Sequence, residues 1–247
     1  MFGFNLALFP QKGPKPIKPY IIINMTRRLN GEKWILPTMV IRLIDNLVLK
    51  GGETQESIKD KRVFGKTREA WIAAVFLLSK IVTEKRLWYL RGNEIENSAE
   101  DIYARCIWKE GKVIHSGTVL PIQIARKTDY GKDDIVGFIK KKLTADLSGV
   151  SLVCYVMTNE IIYWRKIHNE VIKLKPKTRD ITLLGNIGER KFIIGRVHPS
   201  VQTLTIDLNS VHINAPEIIE ATEVIRPEST GIKKQGVALL TPVLKIE

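Results

Sequence analysis

Three polar side chains stand at places in the chain where oxygen ligands could do chemistry. Glu69 lies in the first turn of a predicted helix, Asp101 opens a predicted strand, and Gln123 stands near the end of the next strand. Carboxylate and amide oxygens are hard ligands of the kind that Mg²⁺ prefers, and an ion held against a phosphate activates water and neutralises charge. Residues of these types suit chemistry on a phosphate ester if the fold brings them together.

The elements that must position these residues follow the order helix, strand, strand, strand, helix, strand. A pattern that is apolar nearly all round predicts a buried helix over 67–83, with Thr67 as its N-cap. Apolar, β-branched segments predict four strands, over 86–90, 101–108, 112–126 and 150–158. A second helix is predicted over 132–143, because two aspartates begin it and three lysines end it, as the helix dipole favours.

With this order of elements, the residues around Asp101 and Gln123 resemble the PD-(D/E)xK, or restriction-endonuclease-like, nuclease superfamily over residues 66–158. The resemblance implies an α/β core in which a mixed central sheet is flanked by helices. It also implies that Asp101, Gln123 and Glu69 hold Mg²⁺ or Mn²⁺ and are catalytic. The expected activity is that of a metal-dependent DNA endonuclease, which hydrolyses phosphodiester bonds.

One position departs from the family pattern. The family carries a lysine two residues after its Glu or Gln, where the lysine orients the attacking water or stabilises charge. In this chain Ala125 stands at that spacing from Gln123. Strand alternation places Lys127 on the same face as Gln123 and Ala125, so Lys127 is the expected catalytic substitute. Arg126 is an alternative only if the strand contains a bulge.

Each candidate ligand also has a structural explanation. Asp101 beside Glu100 can be a solvated pair where a strand begins, and Glu69 can simply favour the N-terminus of a helix. Gln123 can be a buried amide that is satisfied by hydrogen bonds. Because an amide is neutral, Gln123 also leaves the site less anionic than a glutamate would.

Excess positive charge predicts a polyanionic partner. The 247 residues carry a formal net charge of +13. Residues 1–66 hold 12 basic and 5 acidic side chains, residues 67–175 hold 18 and 13, and residues 176–247 hold 9 and 8. Because phosphate contacts dominate non-specific nucleic-acid affinity, we expect nucleic acid, and double-stranded DNA in particular, to be the partner.

Basic residues near the predicted core are expected to contact the phosphates of this partner. They are Arg126 on the third strand and the lysines that end the second helix, Lys140, Lys141 and Lys142. Either Lys141 or Lys142 is also a further alternative to Lys127 as the catalytic lysine.

The chain divides into three predicted regions. Residues 1–65 form a basic N-terminal arm and extension, residues 66–175 form the nuclease-like α/β core, and residues 176–247 form a β-rich C-terminal region. The C-terminal region is nearly neutral, at +1, and is the surface expected to dock a second copy of the chain or a protein partner.

Two further features restrict the setting of the protein. No apolar run approaches the roughly 18 residues that a membrane span requires, so no membrane association is expected. Cys106 and Cys154 lack the spacing of metal ligands and are expected to be buried free thiols, which fits a reducing, cytoplasmic environment.

Three functions are consistent with these observations. The first is the DNA endonuclease. The second is a catalytically inactive, nuclease-fold DNA-binding subunit of a defence, transposition or recombination complex, which Ala125 and Gln123 favour. The third is a protein-interaction component whose positive charge is incidental.

Overall fold

The computed structural model describes residues 33–50, 61–92, 99–110, 113–128, 133–157, 161–215, 217–220 and 244–246. Four helices occur in these ranges: α1 (Pro37–Lys50), α2 (Lys61–Glu84), α3 (Ile135–Lys142) and α4 (Trp164–Lys173). The strands are β1 (Lys33–Ile35), β2 (Leu87–Gly92), β3 (Ile102–Glu110), β4 (Val113–Thr128), β5 (Ser151–Met157), β6 (Asp180–Gly188), β7 (Lys191–His198), β8 (Gln202–Asp207), β9 (Val211–Ile213), β10 (Ile218–Glu220) and β11 (Leu244–Ile246). The predicted basic arm lies outside the described residues as far as residue 32.

Nine of these strands form one mixed sheet in the order β10-β1-β2-β3-β4-β5-β6-β7-β8. The three central strands, β4, β5 and β6, are parallel to one another. Antiparallel strands extend the sheet on both sides of this centre. The chain is therefore a mixed α/β protein, as predicted.

Strands β3 and β4 form a long antiparallel hairpin. Ile102 lies opposite Ile122 at one end and Glu110 lies opposite Val113 at the other. The ladder contains one irregularity, between Arg105 and Ile107. The two strands predicted over 101–108 and 112–126 are confirmed, and the pairing fixes which residues of β3 lie beside the end of β4.

Helix α2 covers one face of the sheet. Its residues Ala70 to Leu78 and Ile81 belong to one core cluster together with Ile122 and Ile124 of β4 and Val153 of β5, although Trp71 is only partly buried and Ser79 and Lys80 interrupt the apolar run. The predicted burial of this helix is thus confirmed. The prediction of Thr67 as its N-cap is wrong, because the helix already begins at Lys61.

Helices α3 and α4 cover the opposite face. Each follows one of the parallel strands, and their buried residues Ile139 and Val171 pack with Leu152 and Cys154 of β5. These strand residues alternate with Val153, which faces α2. Asp134 caps α3, because its Oδ1 accepts a hydrogen bond from the backbone N–H of Gly137 at 2.7 Å.

Helix α4 packs closely against strand β7. The ring of Trp164 lies over Gly195, where an added Cβ would come within 2.1 Å of Cζ3 of the tryptophan. Only glycine therefore allows this approach of helix and strand. The contact packs α4 against β7, a strand that belongs to the C-terminal region.

The C-terminal region shares its sheet with the predicted core. Strand β6 pairs in parallel with β5, and β7 and β8 continue the sheet beyond it. The boundary predicted after residue 175 lies between α4 and β6, and the boundary predicted after residue 65 lies within α2. In the part of the chain that the structure describes, no helix has both the length and the apolar character needed to cross a membrane.

Candidate functional site

Asp101 and Gln123 meet at the place where β3 begins. The backbone N–H of Asp101 donates to the carbonyl of Ile122 at 2.9 Å, which holds Asp101 against β4. Its Oδ2 accepts hydrogen bonds from Nε2 of Gln123 at 2.8 Å and from the backbone N–H of Ile124 at 2.7 Å. The two residues that the sequence pattern singled out are therefore in direct contact.

Alternation along β4 separates its side chains between two environments. Ile122 and Ile124 pack with α2, whereas Ala125 packs with α3 and α4. The β4–β5 ladder is regular from Ile122 to Thr128. Gln123, Ala125 and Lys127 consequently lie on one face, and Arg126 lies on the other.

Lys127 is buried, with 3 % of its surface exposed. It lies on the face of β4 that carries Gln123, four residues further along the strand. Burial of an ammonium group is costly unless charged or polar groups compensate for the lost water. A lysine held in this way is a specific arrangement and not a solvated surface charge.

Arg126 lies in a different electrostatic setting, beneath the N-terminal part of α2. Burial lowers the pKa of the Arg68 guanidinium, the nearby charge of Arg126 lowers it further, and the carboxylate of Glu69 raises it. Glu69 thus acts on Arg68 in the N-terminal part of α2, while Asp101 and Gln123 meet on the face of the sheet opposite α2. The role of Glu69 as a third metal ligand stays a prediction.

The predicted lysines at the end of α3 are all exposed. Nζ of Lys141 forms an ion pair with Asp133 at 2.6 Å, and Nζ of Lys142 lies 5.8 Å from the centre of the Phe138 ring. The three lysines occupy the last turn of the helix, where the helix dipole favours positive charge. They present a basic surface, and their contact with phosphate stays a prediction.

Two arginines on the same face as Asp101 were not singled out from the sequence. Tyr103 and Arg105 of β3 continue the alternation that begins at Asp101, just before the strand, and Arg91 of β2 lies directly opposite Tyr103. The guanidinium carbons of Arg91 and Arg105 each lie 4.9 Å from the centre of the Trp34 ring. Only the pairing of β2 with β3 brings the two arginines together, because they are 14 positions apart in the chain.

A second buried polar cluster surrounds Asp180 at the start of β6. Oγ of Ser151 donates to Oδ2 of Asp180 at 2.8 Å, and the buried Oδ1 of Asp180 has no hydrogen-bond partner among the residues that the structure describes. Burial raises the pKa of Asp180, while Ser151 and the positive charges of three nearby side chains oppose the shift. Those side chains are Lys80, Arg179 and Arg196.

Both cysteines are buried and free, as predicted. Burial raises the pKa of the Cys106 thiol to about 11 and that of the Cys154 thiol to about 12. Neither thiol can ionise readily near neutral pH, so neither is an activated nucleophile.

Among the residues that the structure describes, no three His, Cys, Asp or Glu side chains are grouped as a metal site. Compared with models of known protein families, with curated proteins and with solved structures, the chain gives no match.

Proposed function

We propose that the chain is a metal-dependent DNA endonuclease that hydrolyses phosphodiester bonds. Its catalytic residues would be Asp101, Gln123 and Lys127. The observation that carries this proposal is the 2.8 Å contact between the side chains of Asp101 and Gln123 on adjacent antiparallel strands. The buried Lys127 on the same face of β4 adds a positive charge to the arrangement.

The order and direction of the elements support the proposal. Helix α2 is followed by β2, β3 and β4, and then by α3 and β5, which is the order that the resemblance implies. In the sheet β3 runs antiparallel to β2 and β4, whereas β5 is parallel to β4. A restriction-endonuclease-like core over these elements is the fold that we propose.

A divalent ion fits the donor set at this site. Mg²⁺ is commonly held by one or two carboxylates, together with water and substrate phosphate oxygens. Asp101 supplies the carboxylate. In the structure the side-chain nitrogen of Gln123 faces Asp101. Rotation of the amide by about 180° would turn its oxygen to this side, where it could act as a ligand together with the carboxylate of Asp101. Asp101 and Gln123 would thus hold Mg²⁺ or Mn²⁺, and the ion would supply Lewis-acid activation of water.

Lys127 takes the role of the lysine that the family carries two residues after its Glu or Gln. Its ammonium group would orient the attacking water or stabilise negative charge on the phosphate during cleavage. A buried positive charge is effective for this purpose, because water screens it little. Arg126, which lies on the α2-covered face, suits this role less well.

A non-catalytic DNA-binding subunit is the second candidate. The observation that favours it is that Oδ2 of Asp101 already accepts two hydrogen bonds, one from Gln123 and one from the backbone of Ile124. In that function Asp101 would fasten the start of β3 to β4, and the basic surfaces would bind the DNA backbone. Binding would then occur without cleavage.

Cleavage of supercoiled plasmid DNA with Mg²⁺ or Mn²⁺ distinguishes the two candidates. We expect the wild-type protein to nick the plasmid and the Asp101→Asn variant to lose that activity. The introduced amide keeps an oxygen that can accept from the backbone of Ile124, so the fold should be preserved. Asp146→Asn is the matched control. Asp146 is an exposed aspartate whose Oδ1 accepts a hydrogen bond from the backbone N–H of Ser148.

The lysine is tested in the same assay. Lys127→Met should lower the cleavage rate by on the order of 10²-fold or more. Lys173→Met, which removes an exposed lysine paired with Glu170, should leave the rate unchanged. DNA binding without cleavage under any metal would support the inactive subunit, and equal cleavage by all variants would show that Asp101 is not catalytic.

A further inference from the structure

We propose that Arg91 and Arg105 form a binding subsite for the phosphodiester backbone of DNA, beside the candidate cleavage site. This inference rests on the proposed function, because it assigns part of the DNA-binding surface of the same site. The subsite consists of two guanidinium groups that share the ring of Trp34, on the face of the sheet where Asp101 meets Gln123.

Two hydrogen-bond donors of Arg105 lack an acceptor within the described part of the chain. Its Nε and Nη1 atoms are buried and find no acceptor among the described residues, while the residue as a whole is partly exposed. Each buried donor without an acceptor costs free energy, so native proteins satisfy nearly all of them with protein groups, water or ligands. Both unsatisfied donors belong to one permanently charged guanidinium group, and hydrogen bonds from such a group to an anionic oxygen are among the strongest in proteins.

The electrostatics of the pair also favour an anion. Burial lowers the pKa of Arg105, and the positive charge of Arg91 lowers it further. Among the described residues, Arg91 is therefore the charged group that acts most strongly on Arg105, and it is a like charge. Two cations held together in a partly buried place gain most from a ligand that carries negative charge.

Aromatic rings fix the two guanidinium groups in position. Trp34 is 2 % exposed and contacts both arginines, and Arg91 also lies 5.6 Å from the centre of the Tyr103 ring. A guanidinium that stacks on a ring keeps its N–H groups at its edge, where they can reach acceptor oxygens. Lysine could supply the charge at these positions but not this geometry.

The strand geometry relates the subsite to Asp101. Asp101 directly precedes β3, Tyr103 and Arg105 follow it in alternation, and neighbouring members of such a row are about 7 Å apart. Arg91 lies across from Tyr103, between the two ends of the row. A DNA strand with one phosphate at Asp101 would therefore present another, a few nucleotides away, to the arginine pair.

The test measures binding to a DNA duplex by fluorescence anisotropy, without divalent ions, so that cleavage plays no part. We expect Arg91→Gln and Arg105→Gln each to weaken binding about tenfold and to lower the slope of log affinity against log salt by about one. Arg42→Gln is the matched control. This exposed arginine pairs with Glu217, and its loss should change affinity less than twofold.

A second substitution separates charge from geometry and protects the test against misfolding. Arg105→Lys keeps the charge and most of the packing, so it should retain the salt slope but bind less tightly than the wild type. Circular dichroism of each variant checks the fold. Wild-type affinity in both Arg91→Gln and Arg105→Lys would overturn the proposal.

The remaining outcomes separate this inference from the proposed function. If Asp101→Asn abolishes cleavage while the arginine variants bind DNA normally, the subsite is wrong and the enzyme stands. If the arginine variants lose binding but no protein cleaves, the subsite stands without the enzyme. If inorganic phosphate stabilises the wild type through these arginines and DNA does not bind, the pair serves a free anion and the backbone proposal is overturned.

Discussion

Gln123 donates a hydrogen bond from Nε2 to Oδ2 of Asp101 at 2.8 Å, across the boundary between β3 and β4. The same carboxylate oxygen accepts from the backbone N–H of Ile124 at 2.7 Å. Asp101 thus has a structural role, whether or not it also holds a metal ion. A substitution of Asp101 that tests catalysis must therefore leave its structural role intact.

The structural task of Asp101 predicts different effects for alanine and asparagine. Asp101→Ala removes the acceptor for two donors and should lower the free energy of unfolding by about 1–3 kcal/mol. Asp101→Asn keeps one acceptor oxygen and should cost less. Urea denaturation of both variants measures the difference. Equal stability of the alanine variant and the wild type would show that these hydrogen bonds contribute nothing.

Much of the fold could be predicted from local patterns. The helix over 67–83 is apolar nearly all round, and the structure buries it against the sheet. The alternation that separates Gln123 from Ile122 along β4 also holds, because the parallel ladder to β5 has no bulge. In these places the local pattern and the tertiary packing agree.

Other features depended on contacts between distant segments. The helix predicted over 67–83 already begins at Lys61, and it continues through Gly65 although glycine is a poor helix former. The sequence over 160–174 is compatible with helix or strand, and the structure forms α4 there, with Ile167 and Val171, four residues apart, buried on one side of the helix. The Arg91 and Arg105 pair follows from the register of β2 with β3, which no local pattern reveals.

The contact between Trp164 and Gly195 predicts a large effect from one methyl group. Gly195→Ala should destabilise the protein by about 1–3 kcal/mol or more, because the added Cβ would overlap the tryptophan ring. Replacement of Trp164 by leucine in the same chain should recover part of the loss, since it removes the overlap. Additive effects in this double-mutant cycle would contradict the packing described here.

The two cysteines should be protected from thiol reagents in the native protein. Burial raises the pKa of Cys106 to about 11 and that of Cys154 to about 12, so almost no thiolate exists at pH 8. We expect an aromatic disulfide reagent to react slowly with native protein and to titrate two thiols after denaturation. Rapid reaction of either thiol before unfolding would be inconsistent with its burial.

Asp180 should make stability depend on pH. Burial raises the pKa of Asp180 in the folded state above its value in the unfolded state. The folded protein therefore favours protonated Asp180, and this contribution to stability is fully present at acid pH and is lost as pH rises through the folded pKa. Asp180→Asn should therefore gain stability relative to the wild type between acid and neutral pH, by on the order of 1 kcal/mol. Urea denaturation at several pH values gives the difference, and a constant difference would rule out this role.

We propose above all that Asp101 and Gln123 form a site for a divalent ion. Electron paramagnetic resonance of Mn²⁺, which reports the free ion, measures binding to the wild type, to Asp101→Asn and to the Asp146→Asn control without DNA. We predict one bound Mn²⁺ for the wild type and the control, and weakened or absent binding for Asp101→Asn. Equal Mn²⁺ binding by Asp101→Asn and the wild type, or no binding by any of the three, would contradict the claim.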